Sequence, residues 1–233
     1  MRDPASADTL QIAGLARLSS CDWPGHLVAT VFLQGCPLAC GYCHNPGILD
    51  PTAPGVFAWR EVLELLARRR GLLDGVVFSG GEPTRQRALA DAMRQVREFG
   101  FGVGLHTAGP YPRTFAEVLP LCDWIGLDIK SPEDLYGRVT GVATAGAKAF
   151  ACLRMALQAG VPLQVRTTVD HTTMSDDDIA RVSETLRELG VVEHVLQEVR
   201  LEGVREEYRD LLPGSHAPTR PSVGGARRED HDS

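Results

Sequence analysis

The chain alternates short apolar runs with stretches whose apolar residues recur every three or four positions. The runs are Val28–Leu33, Gly75–Ser79, Gly102–His106, Trp124–Ile129, Leu163–Val169 and His194–Val199. Several are nearly continuous in apolar residues, the pattern of parallel strands whose outer face is covered by helices. The helical period is carried by Trp59, Val62, Leu63 and Leu66, then by Leu89, Met93, Val96 and Phe99. It returns in Phe150, Leu153 and Leu157, and in Ile179, Val182, Leu186 and Leu189. Gly71, Gly100, Gly160 and Gly190 follow these stretches as stop signals. Ser175 is placed to cap the last helix, with Asp176, Asp177 and Asp178 in its first turn. Arg68, Arg69 and Arg70 end the first helix, where cations suit the helix dipole, so they do not read as a binding patch. Six strands alternating with helices predict an α/β fold. A short strand or hairpin is expected over residues 10–20.

The chain has 233 residues, enough for one domain with a sizeable core. Residues 1–9 are polar and expected to be loosely ordered, residues 10–212 form the domain, and residues 213–233 have the composition of a disordered tail. His216 and His231 lie in that tail and receive no role. The net charge of −6 argues against nucleic acid as the main partner. No apolar run is long enough to span a membrane, and Met1-Arg2-Asp3-Pro4 lacks a signal-peptide hydrophobic region, so a cytoplasmic location is expected. Arginine outnumbers lysine 22 to two, which makes Lys130 and Lys148 unusual. Lys130 closes an apolar strand two residues after Asp128, either as an ordinary strand-end lysine or as one whose ammonium chemistry resists replacement by arginine.

The chemistry concentrates in Cys36-Pro37-Leu38-Ala39-Cys40-Gly41-Tyr42-Cys43. Three thiolates at C-x3-C-x2-C can hold one face of a cubane iron–sulfur cluster, whose usual ligand set is four cysteines. No fourth cysteine follows, so one iron would stay open to a small molecule. A zinc site with adjacent His44 as fourth ligand is a competing reading, although neighbouring residues rarely converge on one metal. A disulfide with a spare thiol fits poorly with the odd count. Pro37 and Gly41 make the segment a turning loop rather than a core strand. Cys21, Cys122 and Cys152 are scattered among apolar neighbours and read as packed thiols.

Further candidates follow the strands. Ser79-Gly80-Gly81-Glu82-Pro83 sits between a strand and a helix, where glycines let the backbone approach a ligand and Glu82 can accept from an ammonium group. Asp128 and Lys130 point to the same side of their strand. Arg166, alone in an apolar strand, needs an anionic partner, with Asp128, Glu82 or a bound carboxylate as the choices. Cys36, Gly80, Thr107, Lys130 and Arg166 each follow or close a strand, as active groups do at the C-terminal ends of parallel barrels.

The cysteine motif resembles that of the radical S-adenosylmethionine (SAM) enzymes. Asp22-Trp23-Pro24-Gly25, Val31-Phe32-Leu33-Gln34-Gly35-Cys36-Pro37 and Tyr42-Cys43-His44-Asn45-Pro46 resemble the activating proteins of anaerobic ribonucleoside-triphosphate reductase. So do Phe78-Ser79-Gly80-Gly81-Glu82-Pro83-Thr84, Leu105-His106-Thr107-Ala108-Gly109 and Asp123-Trp124-Ile125-Gly126-Leu127-Asp128-Ile129-Lys130. The resemblance spans roughly residues 10–200 and implies a partial (β/α)6 barrel open on one side. It implies that Cys36, Cys40 and Cys43 ligate a [4Fe–4S] cluster and that SAM takes the fourth iron. It places Gly80, Gly81 and Glu82 at the SAM amino group and Lys130 toward its carboxylate, with Asp128 helping to hold it directly or through a bound cation; Arg166 is a candidate for the same carboxylate, Tyr42 either nears the adenine or simply packs, and Thr107 is a further SAM-side candidate. In related formate-lyase activases an acidic residue commonly precedes this threonine; here it is His106, for which no acid–base role is expected. Gln197 suits the family's pattern, but the residues after it depart from it.

The implied activity is reductive cleavage of SAM to a 5′-deoxyadenosyl radical that takes hydrogen from a glycine of anaerobic ribonucleoside-triphosphate reductase. A low-potential donor such as flavodoxin or ferredoxin is the implied electron source. Activation of pyruvate formate-lyase or another glycyl radical enzyme, and radical chemistry on a small molecule, stay open. So does a plain electron-transfer or zinc-binding module.

Overall fold

The computed structural model describes residues 5–200 and 203–211. The expected tail at 213–233 therefore lies outside the described residues, as do residues 1–4. The predicted strands form one seven-stranded sheet in sequence order. They are β1 (Ile12–Ser19), β2 (Val28–Leu33), β3 (Gly75–Gly80), β4 (Gly102–Thr107), β5 (Trp124–Asp128), β6 (Leu163–Val169) and β7 (His194–Glu198). β1 pairs antiparallel with β2, and every later pair is parallel. β1 and β7 remain the two edges, so the sheet curves into a partial barrel without closing.

Parallel neighbours need long crossovers, and helices supply them. These are α1 (Trp59–Arg68), α2 (Leu89–Glu98), α3 (Pro112–Val118), the short α4 (Tyr136–Thr140) with α5 (Ala145–Ala159), and α6 (Asp176–Glu188). A last short helix, α7 (Glu206–Arg209), follows β7. Ser175 caps α6 as its sequence predicts, with the Asp178 side chain accepting from the Ser175 N–H in return. The main core lies between sheet and helices and is built on Trp59, Phe78, Leu105, Phe115, Ile125 and Leu153. No described helix is long and apolar enough to cross a membrane.

Residues 5–9 do not hang loosely. Ala7–Thr9 form a 3₁₀ turn, Ala7 is fully buried, and its N–H donates to Asp91 at 2.8 Å. A single small side chain inserted against α2 is too weak a signal to stand out in a polar stretch.

The barrel interior has its own small core. The loop between β1 and β2 turns inward and drives Trp23 into the lower half of the barrel, with Val28, Val77 and Trp124. The two indoles stack at 5.8 Å between centroids. Glycines on neighbouring strands make the space. A Cβ at Gly75 or Gly104 would lie 3.0 Å from the Trp23 ring, and one at Gly102 3.2 Å from it. Everything above this floor opens toward the C-terminal strand ends.

Candidate active site

β2 and β3 end side by side, with Leu33 paired to Gly80. Gly80 has φ +119°, and a Cβ there would lie 2.2 Å from the Leu33 nitrogen, so only glycine fits. A Cβ at Gly81 would lie 2.5 Å from the Gly35 carbonyl oxygen. This close approach sets the backbone of Gly80-Gly81 directly against the start of the cysteine loop. The loop is tied down by main-chain bonds: Cys36 N–H donates to Leu49 O at 3.0 Å, and Ala39 N–H to Thr140 O at 2.9 Å. Cys40 is buried, while Cys36 and Cys43 are half-buried.

The three cysteines line one cleft of about 710 Å3, within the size range of small-molecule sites. Tyr42, Gly80, Gly81, Thr107, Asp128, Lys130 and Arg166 line the same cleft. The structure thus brings together all the sequence-derived candidates except Glu82. Glu82 is 1% exposed and does not line the cleft. Its Oε1 accepts from the Thr84 N–H at 3.0 Å and the Thr107 hydroxyl at 2.7 Å, and its Oε2 accepts from the Ala108 N–H at 3.0 Å. The side chain locks the end of β3 to the end of β4. Burial pushes its pKa up, against the pull of those hydrogen bonds.

The ends of β5 and β6 carry the charge. Parallel register sets Asp128 beside Arg166. Arg166 Nε donates to Asp128 Oδ1 at 2.8 Å, and Lys130 Nζ to Oδ2 at 3.3 Å. Burial alone would raise the Asp128 pKa, but the two cations outweigh it and bring it down to about 2. Burial also opposes the Lys130 charge, but surrounding acceptors hold its pKa well above the ordinary lysine value. Lys130 Nζ lies 5.6 Å from the Tyr42 ring centroid, a cation–π contact. Of the partners considered for Arg166, Asp128 is the one the fold supplies.

His106 lies just below. Its Nε2 donates to the Asp22 carbonyl at 2.7 Å, which leaves Nδ1 as an acceptor 3.4 Å from the Ser79 hydroxyl. Burial, then the Arg166 cation, lowers its pKa to about 4, so the ring is neutral near pH 7. The Asp22 carboxylate in turn accepts from the Thr30 hydroxyl at 2.6 Å. The loop that buries Trp23 thus also orients a histidine that lines the cleft. Its signal in the sequence was the set of glycines at inward positions of β3 and β4, which need a bulky group from elsewhere to fill the barrel.

Two observations bear on what the cysteine loop can hold. Among the described residues no group of three His, Cys, Asp or Glu side chains converges on a point of single-ion size. Three thiols spread around one cleft suit a cubane, whose irons stand apart at its corners. The Tyr42 hydroxyl, between the second and third cysteines, is buried without a hydrogen-bond partner. A buried hydroxyl with no partner is costly unless a ligand completes it. Burial pushes the Cys36 thiol up to about 12 and raises Cys40 as well. A coordinated metal reverses that logic and holds the thiolate form.

Comparison with known proteins gives the same direction. The model of the radical SAM superfamily matches residues 30–189. The chain is 31% identical over 192 residues to the pyruvate formate-lyase-activating enzyme of Clostridium pasteurianum, covering 79% of each protein. It is 28% identical over 219 residues to the pyruvate formate-lyase 1-activating enzyme of Escherichia coli strain K12, covering 87% of each. Among solved structures, SuiB of Streptococcus suis bound to S-adenosylmethionine superposes with a TM-score of 0.58 at 15% identity, over 76% of this chain. The chain spans 44% of that larger protein, and the likeness is one of fold.

Proposed function

The chain belongs to the radical SAM superfamily, whose members use a [4Fe–4S] cluster and SAM, and from that premise we propose that it activates a glycyl radical enzyme. The observation that carries the reading is one cleft lined by three thiols and by a Lys130–Asp128–Arg166 charge cluster. Cys36, Cys40 and Cys43 would hold the cluster, one thiolate short of the usual four. When bound, the cluster and SAM supply an electron and a 5′-deoxyadenosyl radical able to take hydrogen from carbon.

The protein's own groups bind, orient and exclude. Lys130 and Arg166 present two cations for the SAM carboxylate, and Asp128 holds both in place. The backbone of Gly80-Gly81 offers carbonyls to the SAM ammonium at close range. Glu82 acts from behind, by fixing the strand ends that carry those glycines and Thr107. Tyr42 offers its unpaired hydroxyl and its ring beside the cysteines. His106 lines the cleft as a neutral ring and moves no proton there.

The partner proposed is anaerobic ribonucleoside-triphosphate reductase, on the sequence segments that resemble its activating proteins. Pyruvate formate-lyase is the second reading, favoured by the names of the relatives. A low-potential donor, flavodoxin or ferredoxin, would deliver the electron. The test is anaerobic electron paramagnetic resonance of the iron-loaded protein with SAM, reductant and each candidate partner in turn. A protein-centred doublet that needs SAM and appears with one partner identifies the target. SAM cleavage without a radical on either partner contradicts both named targets.

A further inference from the structure

We propose that the C-terminal segment around α7 is a strap that clamps the outer face of the cysteine loop, with Tyr208 as its positioning residue. The proposal rests on the cluster being held by Cys36, Cys40 and Cys43.

The Tyr208 ring lies against the loop backbone at Gly41, between the second and third cysteines. A Cβ at Gly41 would meet two ring carbons at 2.6 and 2.9 Å, so this position must be glycine for the ring to sit there. The ring is anchored at its far end. Tyr208 Oη donates to Asp170 Oδ1 at 2.6 Å. Asp170 follows β6 and is 1% exposed. It is fixed by the Thr172 N–H at 3.0 Å and by the Thr173 hydroxyl at 2.7 Å. A second contact lies on the other side of Cys43. A Cβ at Gly203 would lie 2.7 Å from the His44 carbonyl oxygen. Val204 and Tyr208, both 6% exposed, bury the inner face of this segment.

Contacts at residues 41 and 44 therefore bracket Cys43, the last of the three thiols. The loop has no secondary structure of its own between Leu33 and Pro46. Its inner wall faces the cleft, and the strap covers its outer side. Tyr208 and Gly41 do not line the cleft, so the segment does not take part in binding there. What it supplies is a closed back to the loop, which keeps oxygen and water from the cluster and holds the thiols in register. The charge-assisted Tyr208–Asp170 hydrogen bond pins this short segment, which can loosen at a lower cost than unfolding the barrel.

The test compares cluster loss in wild type, Tyr208→Phe, Tyr208→Ala and Asp170→Asn. Each protein is loaded anaerobically, assayed for iron and sulfide, and then exposed to a fixed oxygen pressure while visible absorbance is followed. Tyr208→Phe and Asp170→Asn should bleach about tenfold faster than wild type, the factor set by one hydrogen bond to a charged group. Tyr208→Ala, which also loses the ring, should bleach faster still. Barrel melting monitored by circular dichroism should move little in Tyr208→Phe. Equal bleaching in all four proteins overturns the proposal. A wild-type chain that takes up no iron and sulfide removes the cluster reading and the strap with it.

A second measurement needs no variant. Coupling is reciprocal, so the cluster must also hold the strap down. Trypsin cleavage after Arg205 and Arg209, read by mass spectrometry, should be about tenfold slower in loaded than in iron-free wild type. Equal cleavage rates in the two forms contradict the clamp.

Discussion

Replacing Asp128 by asparagine should destabilise the SAM-free protein more than the SAM-bound one. Asp128 neutralises both Arg166, at 2.8 Å, and Lys130, at 3.3 Å. Those cations are 14% and 13% exposed, so without Asp128 they would face each other with little water to screen them. Removing one member of a buried pair costs about 3–5 kcal/mol. Asp128 is itself 31% exposed, which reduces that figure. Its pKa, brought from 3.8 to about 2 by the same cations, gives a second figure. At about 1.4 kcal/mol per unit it corresponds to roughly 2 kcal/mol at neutral pH. The lower of the two figures, roughly 2 kcal/mol, corresponds to a fall of about 4–8 °C in melting temperature for a domain of this size. The sign follows from the depressed pKa of an acid. Its stabilisation is complete above the unfolded value of 3.8 and is lost as pH falls toward about 2. Thermal melts of wild type and Asp128→Asn should therefore differ at pH 7 and converge below pH 4. Saturating SAM, whose carboxylate replaces the lost anion, should recover most of the difference in the cluster-loaded variant. A melting difference under about 1 °C at pH 7, or a SAM-induced shift no larger than in wild type, refutes this account of the charge cluster.

Three further outcomes are expected. Trp23→Ala empties the lower barrel and should cost about 3–5 kcal/mol; a urea midpoint equal to wild type would contradict the interior packing. His106 is a base whose pKa is lowered from 6.5 to about 4, so its neutral form stabilises the fold fully above 6.5, and that contribution fades as pH falls toward 4. His106→Asn should accordingly show a flatter loss of stability between pH 7 and pH 5, by roughly 1–2 kcal/mol, and parallel urea titrations of the two proteins check it. Cys40→Ala should take up no stable four-iron cluster and cleave no SAM; full iron and sulfide content in that variant would overturn the ligand assignment.

β2 to β5 were legible because burial on both faces writes them as nearly continuous apolar runs, whereas β6 alternates and β7 is largely exposed, so these two carry weaker patterns. Four long helices were legible from their stripes and glycine stops. α3 was not, since seven residues beginning at Pro112 carry too few turns for a period. α4 and α7, at five and four residues, are shorter still. At the site, alternation along β5 set Asp128 and Lys130 on one side, and a lone cation in β6 demanded an anion. Which anion depended on strand register, which no local pattern states. Glu82 shows the opposite limit. Following two glycines it reads as a ligand contact, but Thr84, Thr107 and Ala108 turn it inward, and two of those three lie on another strand or beyond its end. Tyr208 and Asp170 are 38 residues apart, and their pairing appears only in three dimensions.

Three thiols and a Lys130–Asp128–Arg166 charge cluster are held here to form one SAM-cleaving cleft. The most direct test is to load the protein with iron and sulfide anaerobically, add SAM and a strong reductant, and assay 5′-deoxyadenosine and methionine by chromatography. The account predicts both products in equal amounts, dependent on reductant and absent from Cys40→Ala. A protein that carries four irons and four sulfides, is reduced, and leaves SAM intact would contradict it.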